Sequence, residues 1–577
     1  MIREVRRRYH RAVHAVVEET ARAVLGEVAR DILTEFPGED VQTFLSQVVD
    51  DVAERRLSGQ AEDDPLRTYG VNVLIEHEDG DACPVVVENI PTLSNLLGTI
   101  DREWGPLGAS RSHSSMIRAG SLLRADGGYL IMEARDVITE PGAWRVLLRT
   151  LKHRLLEIVP AEMSWPVMPP SMKPEPIPVN VKVILLGDTN LYYMLDAYEP
   201  DFASLFKVLA DFHPEITRGP EGVAQYAGVL ARIAKEEGLL PFHRTAVAAL
   251  AEHGARVAAR RDKLTARFSR VADLALEAAF LATRAKAPHV RGQDVEEAVR
   301  RTKARAELPS VRFREFLADG TIKVQVKGDV VGQINGLAVI HAGPLTYGFP
   351  ARITASVGAG TAGIINIEGQ AQLSGAIHTK GFHILGGCLR TLLHAEHPLA
   401  FSASLAFEQS YGGIDGDSAS CAEICCLLSG LTGIPIRQGI AITGAIDQAG
   451  NVEAIGGVNE KIEGFFDTCR DMGLTGEQGV VVPKSNAGEL MLRADVVEAC
   501  REGRFHVWAV ERVEEAIEVL TGVPAGKVDE EGEYPDDTIL GAARQKAREY
   551  WLKAIYRPDI QLTSPDEAEE EEPTADN

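Results

Sequence analysis

Two short stretches carry residue types able to do acyl-transfer chemistry. In Tyr411-Gly-Gly-Ile-Asp-Gly-Asp-Ser-Ala-Ser420, Ser418 follows three glycines and precedes Cys-Ala-Glu-Ile-Cys-Cys-Leu-Leu-Ser, a run with helical character. Gly412, Gly413 and Gly416 suit a tight turn, and Gly430 is the expected stop of the helix. Amides at the start of that helix lack intrahelical partners and would face an anion forming beside Ser418. That is the requirement of an oxyanion hole. A serine hydroxyl is a weak nucleophile at neutral pH and needs a base. Gly450-Asn-Val-Glu-Ala-Ile-Gly-Gly reads as a strand ending in a turn. In Gly456-Gly-Val-Asn-Glu-Lys461-Ile the lysine then falls in the first turn of a helix, beside Ile462, Phe465 and Phe466. A helix N-terminus and burial both disfavour the ammonium, so the neutral amine of Lys461 becomes accessible as that base.

Gly416-Asp-Ser-Ala-Ser and Gly456-Gly-Val-Asn-Glu-Lys resemble the two active-site motifs of the Lon protease family, whose members use a Ser–Lys dyad. The resemblance extends through Val331-Gly-Gln-Ile-Asn-Gly-Leu-Ala-Val339, His378-Thr-Lys-Gly381, Ile442-Thr-Gly444 and Gly479-Val-Val-Val-Pro483, in order, and covers residues 308–525. It implies Ser418 and Lys461 as the catalytic pair and Thr443 as a residue orienting the lysine. Asp415 matches an acidic position three before the serine.

Other catalytic arrangements have less in the sequence. His378 and His383 are alternative bases, but the serine context is not the G-x-S-x-G elbow. There is no His-Glu-x-x-His and no cysteine cluster, so no metal is expected. The seven cysteines, Cys83, Cys388, Cys421, Cys425, Cys426, Cys469 and Cys500, form no Cys-x-x-Cys pair and read as reduced core thiols.

A chain of 577 residues is too long for one core. Its formal net charge is −24, and residues 529–577 hold 15 acids and 5 bases, which argues against nucleic acid as the main partner. No run of 18 apolar residues predicts a membrane span, and the Arg-rich start lacks the apolar core of a signal peptide. A cytoplasmic location is expected.

The elements that must position the chemistry follow in a multidomain α/β and α+β plan. Residues 1–60 read as an N-terminal helical segment, broken at Pro37-Gly38. Residues 61–220 alternate strands and helices, with strands expected at 71–75, 85–87, 129–132 and 181–186. Glu88-Asn-Ile-Pro-Thr-Leu-Ser-Asn-Leu-Leu-Gly98 and Ala119-Gly-Ser-Leu-Leu-Arg-Ala-Asp-Gly-Gly-Tyr-Leu-Ile131 resemble an AAA+ module of the Lon type. The resemblance puts Glu133 near a Mg²⁺-binding strand end and Asn190 near a sensor position. Residues 221–306 give four helices like an AAA+ lid, at 222–237, 242–262, 268–285 and 292–305. Residues 307–525 form the Lon-type proteolytic domain, and 526–577 a helix at 536–556 and an acidic tail. The segment 164–178, with six prolines and Trp165, Met168 and Met172, reads either as a rigid surface loop or as an apolar grip on unfolded chain.

No G-x-x-x-x-G-K-[ST] phosphate cradle occurs in these residues; Gly526-Lys527 is followed by valine. The AAA+-like module is therefore expected to be degenerate, with Glu133 and Asn190 as structural remnants and no nucleotide or other cofactor. The expectation is an ATP-independent serine endopeptidase. The resemblance is closest to the ATP-independent, C-type Lon-like proteases, and implies a homohexameric ring chamber acting on unfolded proteins. A peptidase driven by a separate ATPase, or a non-enzymatic ring holding unfolded chains, are the alternatives.

Overall fold

The computed structural model describes residues 2–56, 64–76, 83–101, 103–104, 110–158, 173–343, 345–394 and 396–555. The acidic tail and most of the Pro/Met-rich segment lie outside them. The chain forms two compact units, residues 1–212 and 213–577.

In the first unit, α1 (Ile2–Glu35) and α2 (Glu39–Asp51) form the hairpin that Pro37-Gly38 predicts. Arg22 of α1 pairs with Asp50 at 2.6 Å, while Ile2, Val5, Tyr9 and Val16 stay exposed. Beyond them, β1 (Val85–Glu88), β2 (Tyr129–Glu133) and β3 (Lys182–Leu186) make a three-stranded parallel sheet with β2 central. Leu96, Leu122, Leu130, Met132, Leu147 and Leu156 form its core. The strand expected at 71–75 is absent. Among the described residues this stretch joins no ladder, Val71 and Val73 are exposed, and Asn72 Nδ2 ties it instead to the Ser114 and Ile117 carbonyls at 2.9 Å.

In the second unit, α3 (Pro220–Glu236), α4 (Arg244–Ala258), α5 (Phe268–Arg284) and α6 (Gly292–Ala306) pack around Tyr226, Leu250, Val271 and Ala278. The helix α7 (Leu308–Ala318) follows. The strands are β4 (Gln333–Ala342), β5 (Leu345–Ala359), β6 (Gly363–Asn366), β7 (Phe401–Phe407), β8 (Ile440–Ile442), β9 (Gly479–Pro483) and β10 (His506–Val510). They form one mixed sheet in the order β6-β7-β5-β4-β8-β9-β10. From β4 through β8 and β9 to β10 the pairing is parallel.

Side chains alternate across a pleated sheet, so each strand feeds two cores. Ile334, Ile442 and Val481 point to one face, where they meet α8 (Ala376–Leu393), α9 (Ser420–Thr432) and α11 (Ile539–Ile555). Leu337, Ala441 and Val480 point to the other, where α10 (Val458–Met472) supplies Ile462, Phe465 and Cys469. Contact there is backbone to backbone: a Cβ on Gly464 would lie 1.9 Å from the Gly348 carbonyl oxygen of β5. Six of the seven cysteines are buried or half-buried free thiols; Cys83 is exposed.

The helix α9 does not stop at Gly430. It continues to Thr432 and ends at Gly433, whose φ of +77° gives the left-handed cap. Gly430 is instead a packing glycine: a Cβ there would meet Val357 Cγ2 at 3.2 Å and the Ala355 carbonyl oxygen at 3.3 Å.

Candidate active site

The helix that follows Ser418 and the helix that bears Lys461 lie on opposite faces of the large sheet. Their active ends meet beyond the carboxyl end of β8, the edge at which open α/β sheets commonly place ligands. Ser418 sits in a turn two residues before α9, and Lys461 lies in the first turn of α10, with 2% of its surface exposed. Lys461 Nζ is 2.9 Å from Ser418 Oγ and 3.0 Å from Thr443 Oγ1.

Thr443 follows β8 directly and is itself buried. Its hydroxyl donates to the Ser418 carbonyl at 3.2 Å, and the Gly444 amide donates to the same oxygen at 2.9 Å. One loop thus fixes both partners. Burial lowers the Lys461 pKa from 10.5 to about 8, against the opposing charge of Asp417. A near-neutral amine in contact with a serine hydroxyl can take its proton.

The turn before Ser418 needs less glycine than its sequence suggests. Gly416 has φ +96°, whereas Gly412 and Gly413 are outside the left-handed region. The start of α9 also differs from a row of free donors. The Ser420 amide donates to the Asp417 carbonyl and the Cys421 amide to the Gly444 carbonyl. The amides of Ser418 and Ala419 have no acceptor among the described residues.

Asp415 touches neither reactive side chain. Its Oδ1 accepts from the amides of Ile377, His378 and Gly416 at 3.1, 3.2 and 2.8 Å, so it caps α8 and pins the nucleophile loop to it. Bonds from Gly416 and then His378 hold its carboxyl below the usual range. Asp417, not singled out in the sequence, is the acidic neighbour that acts on Lys461.

His378 forms no hydrogen bond with Ser418. Its Nε2 is 3.2 Å from Glu423 Oε1 and its Nδ1 is 2.8 Å from Ser374 Oγ. Burial disfavours the charged ring, but Glu423, with Glu368 and Asp415, raises its pKa overall. His383 is exposed and makes no hydrogen bond among the described residues. His378→Ala would leave the buried Glu423 carboxylate without its one cationic partner. It is expected to destabilise the fold by roughly 3 kcal/mol in chemical denaturation, while the folded fraction still reacts at Ser418. Unchanged stability with lost reactivity would return His378 to the chemistry.

Glu133 lies exposed at the carboxyl end of β2, and Asn190 is exposed in the first turn of the helix Thr189–Tyr198 that follows β3. A separate cleft of about 560 Å³ in the first unit is lined by Trp144, Arg145, Arg149 and Lys152. Its polar groups pair internally, Lys152 with Asp201 at 2.8 Å and Trp144 Nε1 with Glu199 at 3.0 Å. Among the described residues no group of three or more His, Cys, Asp or Glu side chains is arranged to hold a metal. No helix among them is long and apolar enough to cross a membrane.

Comparison with known proteins identifies the parts of this architecture. Residues 81–213 match the LonB-like AAA domain, 241–305 the AAA+ ATPase lid domain of archaeal LonB, and 412–522 the C-terminal proteolytic domain of Lon protease. By domain content the chain is a Lon-type peptidase. A Lon protease homologue of Escherichia coli K12 is 33% identical over 70% of this chain and 68% of its own length. One from Haemophilus influenzae is 32% identical over 84% and 83%. An archaeal Lon protease of Archaeoglobus fulgidus is 26% identical over 70% and 62%. The chain belongs to the Lon protease family.

Proposed function

We propose that the protein is an ATP-independent serine endopeptidase in which Ser418 is the nucleophile and Lys461 its base. The contact of 2.9 Å between a buried amine and the serine hydroxyl carries this reading. The Ser418 proton passes to Lys461 Nζ as Oγ attacks the peptide carbonyl. The free amides of Ser418 and Ala419 are the nearest donors for the oxyanion. Lys461 then gives the proton to the leaving amine and, neutral again, takes one from the water that hydrolyses the acyl-enzyme. Thr443 holds the amine in line through its hydroxyl.

Triphosphate affinity rests on loop amides and a lysine in a phosphate cradle, and these residues contain no such motif. An acidic side chain at a strand end, such as Glu133, does not replace it. Substrates are then proteins already unfolded or flexible, degraded inside a homohexameric ring without nucleotide, membrane or nucleic acid.

The test is digestion of an unfolded casein-like protein and of a stably folded domain, each with and without ATP–Mg²⁺, beside nucleotide titration by calorimetry. The unfolded substrate should be degraded at the same rate in both conditions, and the folded one should survive. Micromolar ATP binding, or ATP-dependent loss of the folded substrate, would overturn ATP independence. Sedimentation analysis checks the hexamer.

A further inference from the structure

The helix that presents Lys461 has a second face. Glu463, Asp467 and Asp471 recur along it at helical spacing, opposite the core residues Ile462, Phe465 and Cys469. Arg256, from α4 of the lid-like bundle, forks onto Glu463 with two bonds of 2.7 Å. The same guanidinium donates to the Met491 carbonyl at 2.7 Å. The Met491 side chain, which belongs to the proteolytic sequence, is buried in the core of the lid-like bundle. Around this point the Arg493 amide donates to Glu463 at 2.9 Å, and its guanidinium forks onto Asp467 at 2.8 and 2.6 Å. Asn459 accepts from the Met491 amide at 2.7 Å and donates to the Glu489 carbonyl at 2.9 Å. Farther along, Arg314 of α7 meets Asp471 at 2.8 Å.

A bundle meant to swing freely against its neighbour would not share a core residue and a bidentate ion pair with it. Here Glu463 lies two residues after Lys461 on α10, and Met491 is tied to the same helix through Asn459. Bidentate Arg–carboxylate geometry fixes direction as well as distance, and Glu463 is nearly buried, so little solvent screens the pair.

We propose that the lid-like bundle, through Arg256 and Met491, is a positioning element for the base of the proteolytic site. Arg256 acts on the reaction only through α10, by holding the register at which Lys461 reaches Ser418. This rests on the reading of Lys461 as the base. It goes further in assigning the lid-like bundle, residues 221–306, a part in peptide-bond chemistry itself, even on substrates too short to need unfolding.

The experiment uses the full chain and a short fluorogenic peptide, with kcat and KM measured well below each variant's Tm. The rate of covalent labelling of Ser418 by a fluorophosphonate is followed in parallel. Arg256→Glu should lower kcat and the labelling rate about tenfold or more, as small misplacements of catalytic groups do, with KM little changed. Arg256→Lys, which keeps the charge and loses the fork, should fall between wild type and Arg256→Glu and covers the case in which Arg256→Glu does not fold. Wild-type kcat and labelling in Arg256→Lys and Arg256→Glu, with only a lower Tm, would overturn the proposal. Lys461→Arg serves as the separating control: if it is inactive while the Arg256 variants are unaffected, the positioning role fails alone. If Lys461→Arg is active, the assignment of the base fails.

Discussion

Ser418→Ala is expected to reduce peptide-bond hydrolysis by at least about 10⁴-fold, the scale on which loss of a serine nucleophile acts. The change removes one partly exposed oxygen and one hydrogen bond, that to Lys461 Nζ. Stability should therefore move by no more than about 1 kcal/mol. Lys461 keeps Thr443 as its partner, and the Ser418 carbonyl keeps both donors, the Thr443 hydroxyl and the Gly444 amide. The variant should give wild-type circular dichroism, the wild-type oligomer and no fluorophosphonate adduct. Near-wild-type turnover by a folded variant would refute the nucleophile. A variant that loses both activity and assembly would show that Ser418 is structural instead.

Much of the site was legible because its chemistry is local. Ser418 with its turn, Lys461 with its apolar neighbours, and Thr443 lie in short motifs, and the structure brings all three within hydrogen-bond reach. The four lid-like helices and the strands at 85–88, 129–133 and 182–186 were also visible, since each carries its own periodicity.

What was not legible depends on partners distant in sequence. Asp415 matches an acidic position by spacing, yet its carboxylate is spent on the amides of a helix 37 and 38 residues earlier. Gly430 looks like a helix stop, but the neighbouring strand decides its role, because β5 passes too close for a side chain. Val71-Asn-Val-Leu-Ile75 has a strand's composition and no ladder partner, and composition cannot supply one. Arg256 and Glu463 are 207 residues apart. The acidic spacing of Glu463, Asp467 and Asp471 was the available signal, and it reads equally well as a solvated helix face.

Lys461→Arg is expected to abolish activity although it preserves charge, because a guanidinium does not deprotonate at working pH. In the wild type, kcat should rise with pH through about 8 and then level off, as the buried ammonium gives up its proton. Asp417 holds that value up, so Asp417→Asn should move the rising limb to lower pH. A flat profile, or a limb near the ordinary histidine value of roughly 6.5, would exclude Lys461 as the base. Stability should rise with pH as activity does, over the window above the folded-state value. A lysine displaced from 10.5 to about 8 by burial costs the folded state roughly 3 kcal/mol while it remains charged. The unfolded chain binds this proton more tightly than the folded one. Between about pH 8 and 10.5 the wild type therefore gains stability as pH rises, and below 8 the penalty is complete. Lys461→Met removes the charge, with the loss of its bonds to Ser418 and Thr443 offsetting part of the gain. It should melt above the wild type at pH 7, with the difference shrinking toward pH 10. A variant less stable than wild type at pH 7 would mean that the ammonium is held by favourable contacts and is not poised to act as a base.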